Sequence, residues 1–233
     1  MKGKTQLAKQ SPGPPYHMLR PFALSVVLSL LVVAPQEDPK PFVTVFKVAP
    51  ILCLTWIVLR KEIMRLETVL LLLALVFSMI GDFYLLWPKK HFLEGVMAFW
   101  VAQAIYIVSF GFKRVSWKSG LAAYGFNLLC LVVALNFIPS PPEKMAVTFY
   151  SFTLITVVWR ALDRHLLNKE ISWHRRVSGV VGTMVFCASD LCIALLQEGK
   201  MLPHTPTQLI ILSTYYIAQA FIVLGLCEGF WKL

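Results

Sequence analysis

Two carboxylates stand inside apolar runs long enough to cross a bilayer. Asp82 lies in FSMIGDFYLLWP (Phe77–Pro88) and Asp190 in VFCASDLCIALL. On insertion scales a charge at the middle of a spanning helix costs roughly 2.5–3.5 kcal/mol, so it persists where something uses or neutralises it. Two carboxylates sharing a site of low dielectric titrate in separate steps and so supply an acid and a base in one place. Glycoside hydrolysis uses such a pair, one carboxyl protonating the leaving oxygen while the other directs water. A membrane-embedded version suits an amphiphilic lipid whose labile bond lies near its headgroup.

Other polar residues fall at similar depth. Asp82 is five residues before Trp87 and Asp190 seven before Gln197, which sets both roughly 8–10 Å inside one end of their helices. Tyr215, Tyr216 and Gln219 follow the start of the last apolar run, roughly 10–16 Å deep from the same end. Gln103 and Tyr106 lie in the fourth run, and Lys47 enters with the second, its long stem able to reach inward. Ser78 and Asp82, Tyr215 and Gln219, and Gln103 and Tyr106 each share a helix face by their i,i+4 or i,i+3 spacing. Taken singly, a tyrosine or glutamine here is helix-to-helix glue and Lys47 an interfacial anchor. Together they form one polar layer, read as a pocket. The histidines show no HxxxH or HExxH spacing, so no metal and no cofactor is expected. GxSxG and P-loop patterns are also absent, which leaves serine-esterase and nucleotide chemistry without support.

The elements that must hold this layer are helices. Of 233 residues 58% are hydrophobic and only 15% charged, against roughly 45–50% and 25% in a soluble domain. The apolar residues fall in blocks of crossing length. The expected fold is all-α: a polytopic membrane helix bundle of about eight transmembrane helices, one domain over residues 18–233 behind a disordered basic tail, 1–17. The spans are expected from Met18 (its core, Phe22–Ala34, is also short enough for a signal-peptide core), then at Val43–Leu59, Leu66–Trp87, Phe92–Phe112, Leu121–Ile138, Met145–Leu162, Val177–Gln197 and Gln208–Phe230. Pro88-Lys89-Lys90 reads as a tight turn and Pro139–Pro142 as a helix break. Ser178/Gly182 and Gly179/Thr183, at small-xxx-small spacing, suggest that the seventh span is central.

The net charge of +10 comes from short clusters between apolar runs. That is a topology signal, and nucleic-acid binding is not expected. Sixteen Lys and Arg fall on the side of the termini and six on the other, which predicts that both termini are cytoplasmic. The five cysteines all lie within expected spans without a CxxC pair, as small buried hydrophobes.

GDFYLLWP, MAFWVAQAIYIVSFGF, Trp159-Arg160, VFCASDLCIAL, STYYIAQ and the Lys-x-x-Pro of Lys47–Pro50, in this order, resemble the lysoplasmalogenase family, the YhhN-like transmembrane proteins. The resemblance covers nearly all of the chain after residue 18. It implies an eight-span protein, in the endoplasmic-reticulum membrane, that hydrolyses the vinyl-ether bond of lysoplasmalogens to a fatty aldehyde and glycerophosphoethanolamine or glycerophosphocholine. Its acids correspond to Asp82 and Asp190, its lysine to Lys47 and its tyrosine pair to Tyr215 and Tyr216. Many members carry a histidine where this chain has Gln103, three residues before Tyr106, and glutamine cannot titrate. The partners expected are the lysophospholipid substrate and membrane lipids, with a homodimer left open. The rival readings are a proton-coupled carrier, against which no inverted repeat or paired Gly/Pro-interrupted spans are found, and a non-catalytic lipid-binding protein.

Overall fold

A computed structural model of the chain describes residues 19–60, 65–138 and 140–227. Among the described residues eight helices follow one another through short connections: α1 (Arg20–Val33), α2 (Val43–Leu59), α3 (Leu66–Tyr84), α4 (Pro88–Phe110), α5 (Trp117–Leu135), α6 (Pro141–Leu167), α7 (Trp173–Cys192) and α8 (His204–Leu226). α7 runs on into a π-helical segment, Ile193–Glu198. The described residues contain helices and no strand, so the all-α bundle is found. Six helices, α3 to α8, are long and apolar enough to cross a membrane by length and composition. α1 and α2 are apolar but have only 14 and 17 residues; their lengths of about 21 and 26 Å fall short of a hydrocarbon core of about 30 Å. The expected tail, 1–17, and part of the charged turn before α3 lie outside the described residues.

The break expected at Pro139–Pro142 falls between α5 and α6, but the prolines also start helices. Pro88 opens α4 instead of sitting in a turn, and the helix kinks at His91, where the backbone leaves the helical region. Pro141 likewise opens α6, behind Ser140, whose hydroxyl accepts from the Glu143 amide. A proline in the first helical turn loses nothing, because the amide it lacks has no partner there anyway. Both helices therefore start about four residues earlier than the hydropathy predicts.

Small residues set the closest helix contacts. A Cβ added to Gly182 would stand 2.6 Å from the Ile222 amide nitrogen, and one on Gly225 would stand 2.6 Å from that of Gly179. The small-xxx-small face of α7 thus lets α8 approach backbone to backbone. The central helix, however, is α8, which packs on α1, α2, α3 and α7. Ile51, Leu54, Leu71, Leu75, Tyr216 and Ile222 are buried in the core that these helices share. α5 packs mainly on α6 and meets the π-helical segment.

The connection between α4 and α5 is stapled to α6. Arg160 Nε donates to the Gly111 carbonyl at 2.8 Å and Nη2 to the Arg114 carbonyl at 2.7 Å. Trp159 Nε1 donates to the Ser116 carbonyl at 2.9 Å. The Trp159-Arg160 pair is thus a clamp on a backbone segment whose carbonyls would otherwise go unmet.

Candidate functional site

Asp82 is buried near the end of α3, where α8 crosses it, and accepts from the Tyr215 hydroxyl at 2.7 Å. Lys47, buried on α2, is the cation that acts on Asp82. Phe99 supports Tyr215 edge-on, with ring centroids 5.8 Å apart. Room for Phe99 comes from Gly81, where an added Cβ would lie 2.5 Å from the phenyl ring. Across the bundle, Asp190 of α7 accepts from the Tyr150 hydroxyl of α6 at 2.5 Å.

Both acids, both tyrosines and Lys47 line one cavity of about 170 Å³. Its wall is otherwise largely apolar, with Phe92, Val96 and Phe99 from α4, Leu131 and Ala134 from α5, and Leu154 from α6. Asn127 and Ser151 add polar atoms between α5 and α6, and Gln197, Glu198 and Gln208 add them where α7 ends and α8 begins. An apolar chamber with a few convergent polar groups is the form expected of a small-molecule or lipid site. Among the described residues no cluster of three or more His, Cys, Asp or Glu could hold a metal ion.

The remaining residues singled out by sequence lie behind this wall. Tyr216 donates to the Lys47 carbonyl at 2.8 Å and shares a hydrogen bond of 2.7 Å with Ser29, tying α8 to α2 and α1. Tyr106 donates to Gln219 Oε1 at 2.8 Å, and Gln219 Nε2 donates to Ser78 at 3.0 Å, joining α4, α8 and α3. Gln103 is 1% exposed, and neither end of its amide makes a hydrogen bond of ordinary geometry, although the Tyr150 hydroxyl is its neighbour. The polar layer is therefore two structures: a cavity wall of Lys47, Asp82, Asp190 and Tyr215, and a supporting network of Tyr106, Tyr216 and Gln219, with Gln103 beside Tyr150.

Tyr150 escaped the sequence reading because it sits in the aromatic run TFYSF, which looks like a lipid-facing surface. The signal was depth: it is nine residues into α6, roughly 14 Å from the start of that helix. Gln197 reads as the close of a span and Glu198 as the first residue of the loop that follows. A π-helical stretch there shifts which side chains face inward, and hydropathy carries no trace of that shift.

Fold and site together define a multi-pass helical membrane protein with a carboxylate-bearing chamber inside the bundle. The YhhN family profile matches residues 42–226, and the chain belongs to that family. It is 27% identical over 231 residues to lysoplasmalogenase TMEM86A of Homo sapiens, covering 94% of this chain and 91% of that protein. It is 30% identical over 229 residues to lysoplasmalogenase TMEM86B of Homo sapiens, with 95% and 91% covered. It is 29% identical over 217 residues to lysoplasmalogenase TMEM86B of Sus scrofa, with 91% and 87% covered. No solved structure matches the chain.

Proposed function

We propose that this protein is a membrane hydrolase that cleaves the vinyl-ether bond of lysoplasmalogens, releasing a fatty aldehyde and glycerophosphoethanolamine or glycerophosphocholine. The observation that carries the reading is the chamber: two carboxylates, each held by a tyrosine hydroxyl, in the wall of one apolar cavity. The curated relatives, all named lysoplasmalogenases, agree with it.

A vinyl ether hydrolyses by protonation of its outer carbon. The C=C electron pair forms the new C–H bond, and the ether oxygen shares the positive charge left on the inner carbon. Water adds to that carbon and loses a proton, giving a hemiacetal. The hemiacetal collapses to the aldehyde as its hydroxyl gives up its proton, the C–O bond to glycerol breaks and the departing glycerol oxygen takes up a proton. One of Asp82 and Asp190 donates the first proton, and the other stabilises the cation and takes the proton from water. The proton taken from water balances the one given to carbon, so no cofactor is needed. Tyr215 and Tyr150 orient the two carboxylates. Lys47, in the same cavity wall as Asp82, pairs with the substrate phosphate in this reading, while Tyr106, Tyr216, Gln219 and Gln103 keep the helices in register behind the wall. The apolar wall suits the alkenyl chain.

The excess of Lys and Arg on one side supports cytoplasmic termini, and the family supports an endoplasmic-reticulum membrane. The polar end of the chamber, at Gln197, Glu198 and Gln208, then lies on the side away from the termini.

The test is Asp82→Asn and Asp190→Asn in purified protein given a 1-alkenyl lysophospholipid, with free aldehyde as the readout. Each is expected to lose about 100-fold or more of kcat, the lower range of a general acid or base contribution. Near-normal release from either variant would remove that residue from the mechanism. Transport without aldehyde would favour a carrier, and binding alone a non-catalytic lipid protein.

A further inference from the structure

The reaction places the vinyl ether at the acids but says nothing of what receives the other end of the lipid. Beyond the acids, Lys47 and the few polar atoms of α5 and α6, the polar part of the wall lies where α7 ends and α8 begins, at Gln197, Glu198 and Gln208. There the wall carries Glu198, partly exposed, whose Oε1 accepts from Gln197 Nε2 at 3.3 Å. Gln208 of α8 donates to Gln197 Oε1 at 3.0 Å, so the two glutamines fix the position of the carboxylate. Among the described residues Oε2 of Glu198 accepts no hydrogen bond and Glu198 forms no ion pair. A carboxylate held by a glutamine pair, with no counterion among the described residues, at the polar end of a largely apolar chamber, is a site for a cation.

We infer that Glu198 is the headgroup-specificity residue of this chamber, receiving the ammonium of an ethanolamine or choline lysolipid. The inference rests on the lysolipid reading above. The lengths agree. Glu198 is eight residues beyond Asp190 on one continuous helix, so it lies no more than about 12 Å along the axis. From the vinyl-ether oxygen to the headgroup nitrogen there are nine covalent bonds, which extend to about 11 Å at the rise per bond of an extended chain. With the vinyl ether at Asp190, the nitrogen arrives at Glu198 and the phosphate falls between them. The tail is then left to the apolar wall. A reversed lipid would set its charged headgroup against Phe99, Leu131 and Leu154 and its tail in the polar mouth, and both placements are unfavourable.

The experiment compares Glu198→Gln and Glu198→Lys with the wild type. Binding is measured for non-hydrolysable 1-alkyl lysophospholipids bearing ethanolamine, choline or a bare phosphate. Because these analogues are not turned over, the result is independent of the hydrolase reading, which aldehyde release from the 1-alkenyl lipid tests separately. Wild type is expected to favour the amine headgroups over bare phosphate. Glu198→Gln lowers that ratio about 5-fold, the scale of one exposed ion pair, and Glu198→Lys inverts it. In kinetics the loss falls on KM for the amine substrates and leaves kcat near its wild-type value. Unchanged ratios, or equal loss for all three headgroups, would overturn the assignment. Retained aldehyde release with an indifferent Glu198→Gln would refute it alone, whereas headgroup selectivity without aldehyde would refute only the hydrolase reading.

Discussion

Asp163 and the pair Asp82 and Asp190 are acids set within bundle helices, in surroundings of opposite kind. Asp163, near the end of α6, has no exposed surface. It accepts from Arg160 Nη1 at 2.6 Å, from the Ser116 amide at 2.9 Å and from the Ser119 hydroxyl. Its two oxygens are met by a cation, an amide and a hydroxyl, so little capacity is left for a ligand. Asp82 and Asp190 each accept a single tyrosine hydroxyl and turn the rest of the carboxylate to a cavity. An acid saturated by its own protein is a clamp, whereas an acid held by one hydroxyl and facing open space is oriented for something that arrives.

That difference is sharpest when the same substitution is made in both regions. Asn in place of Asp82 or Asp190 is expected to cost at least about 100-fold in kcat, with thermal stability near wild type. Asp163→Asn is expected to do the opposite. It leaves Arg160 buried against an amide that cannot balance its charge, and breaking a buried pair in this way costs about 3–5 kcal/mol. The melting temperature falls steeply, while aldehyde released per folded molecule holds. A variant of Asp163 that folds normally but is inactive would erase the distinction.

The tyrosines come next in size. Tyr215→Phe and Tyr150→Phe remove one hydroxyl each and leave the ring packing. A hydrogen bond to a charged group contributes about 1.5–3 kcal/mol, so a loss of kcat of roughly 10- to 100-fold is expected from each. The double variant tests whether the two pairs act on one bond. If both acids serve the same step, the losses combine with a measurable coupling; two independent sites would give simple additivity.

The sequence made the cavity wall legible to different degrees in the two halves. Asp82, Asp190, Lys47 and Tyr215 stood out because a charged or polar group in an apolar run is rare and needs a reason. Helix order and approximate limits followed from hydropathy, since burial in lipid and burial in a core demand the same residues. The limits moved at Pro88 and Pro141, because a proline that ends one helix can also begin the next. Tyr150 and Glu198 were hidden for separate reasons. Tyr150 lies among aromatics that lipid contact explains equally well, and Glu198 looks like an ordinary loop acid until the π-helical turn brings it to the cavity. Neighbourhood was the missing quantity: depth along each helix can be counted, but which helices touch is decided by contacts such as Gly182 on α8.

The smallest effect belongs to Gln103, which tests where the working wall ends. It lies outside the cavity lining, and among the described residues neither end of its amide makes a hydrogen bond of ordinary geometry. Burying an unpaired amide is unfavourable, so an apolar side chain of similar size should be tolerated or even stabilising. Gln103→Leu is therefore expected to keep the melting temperature or raise it slightly, and to hold kcat within about threefold, well short of the loss from either acid. Gln103→His adds a titratable group next to Tyr150 and reaches the substrate only through that tyrosine, so any change it brings should vanish in the Tyr150→Phe background. A loss of 100-fold in Gln103→Leu, on the scale of the acid variants, would move Gln103 from the supporting layer into the wall and join the two regions that the aspartates separate.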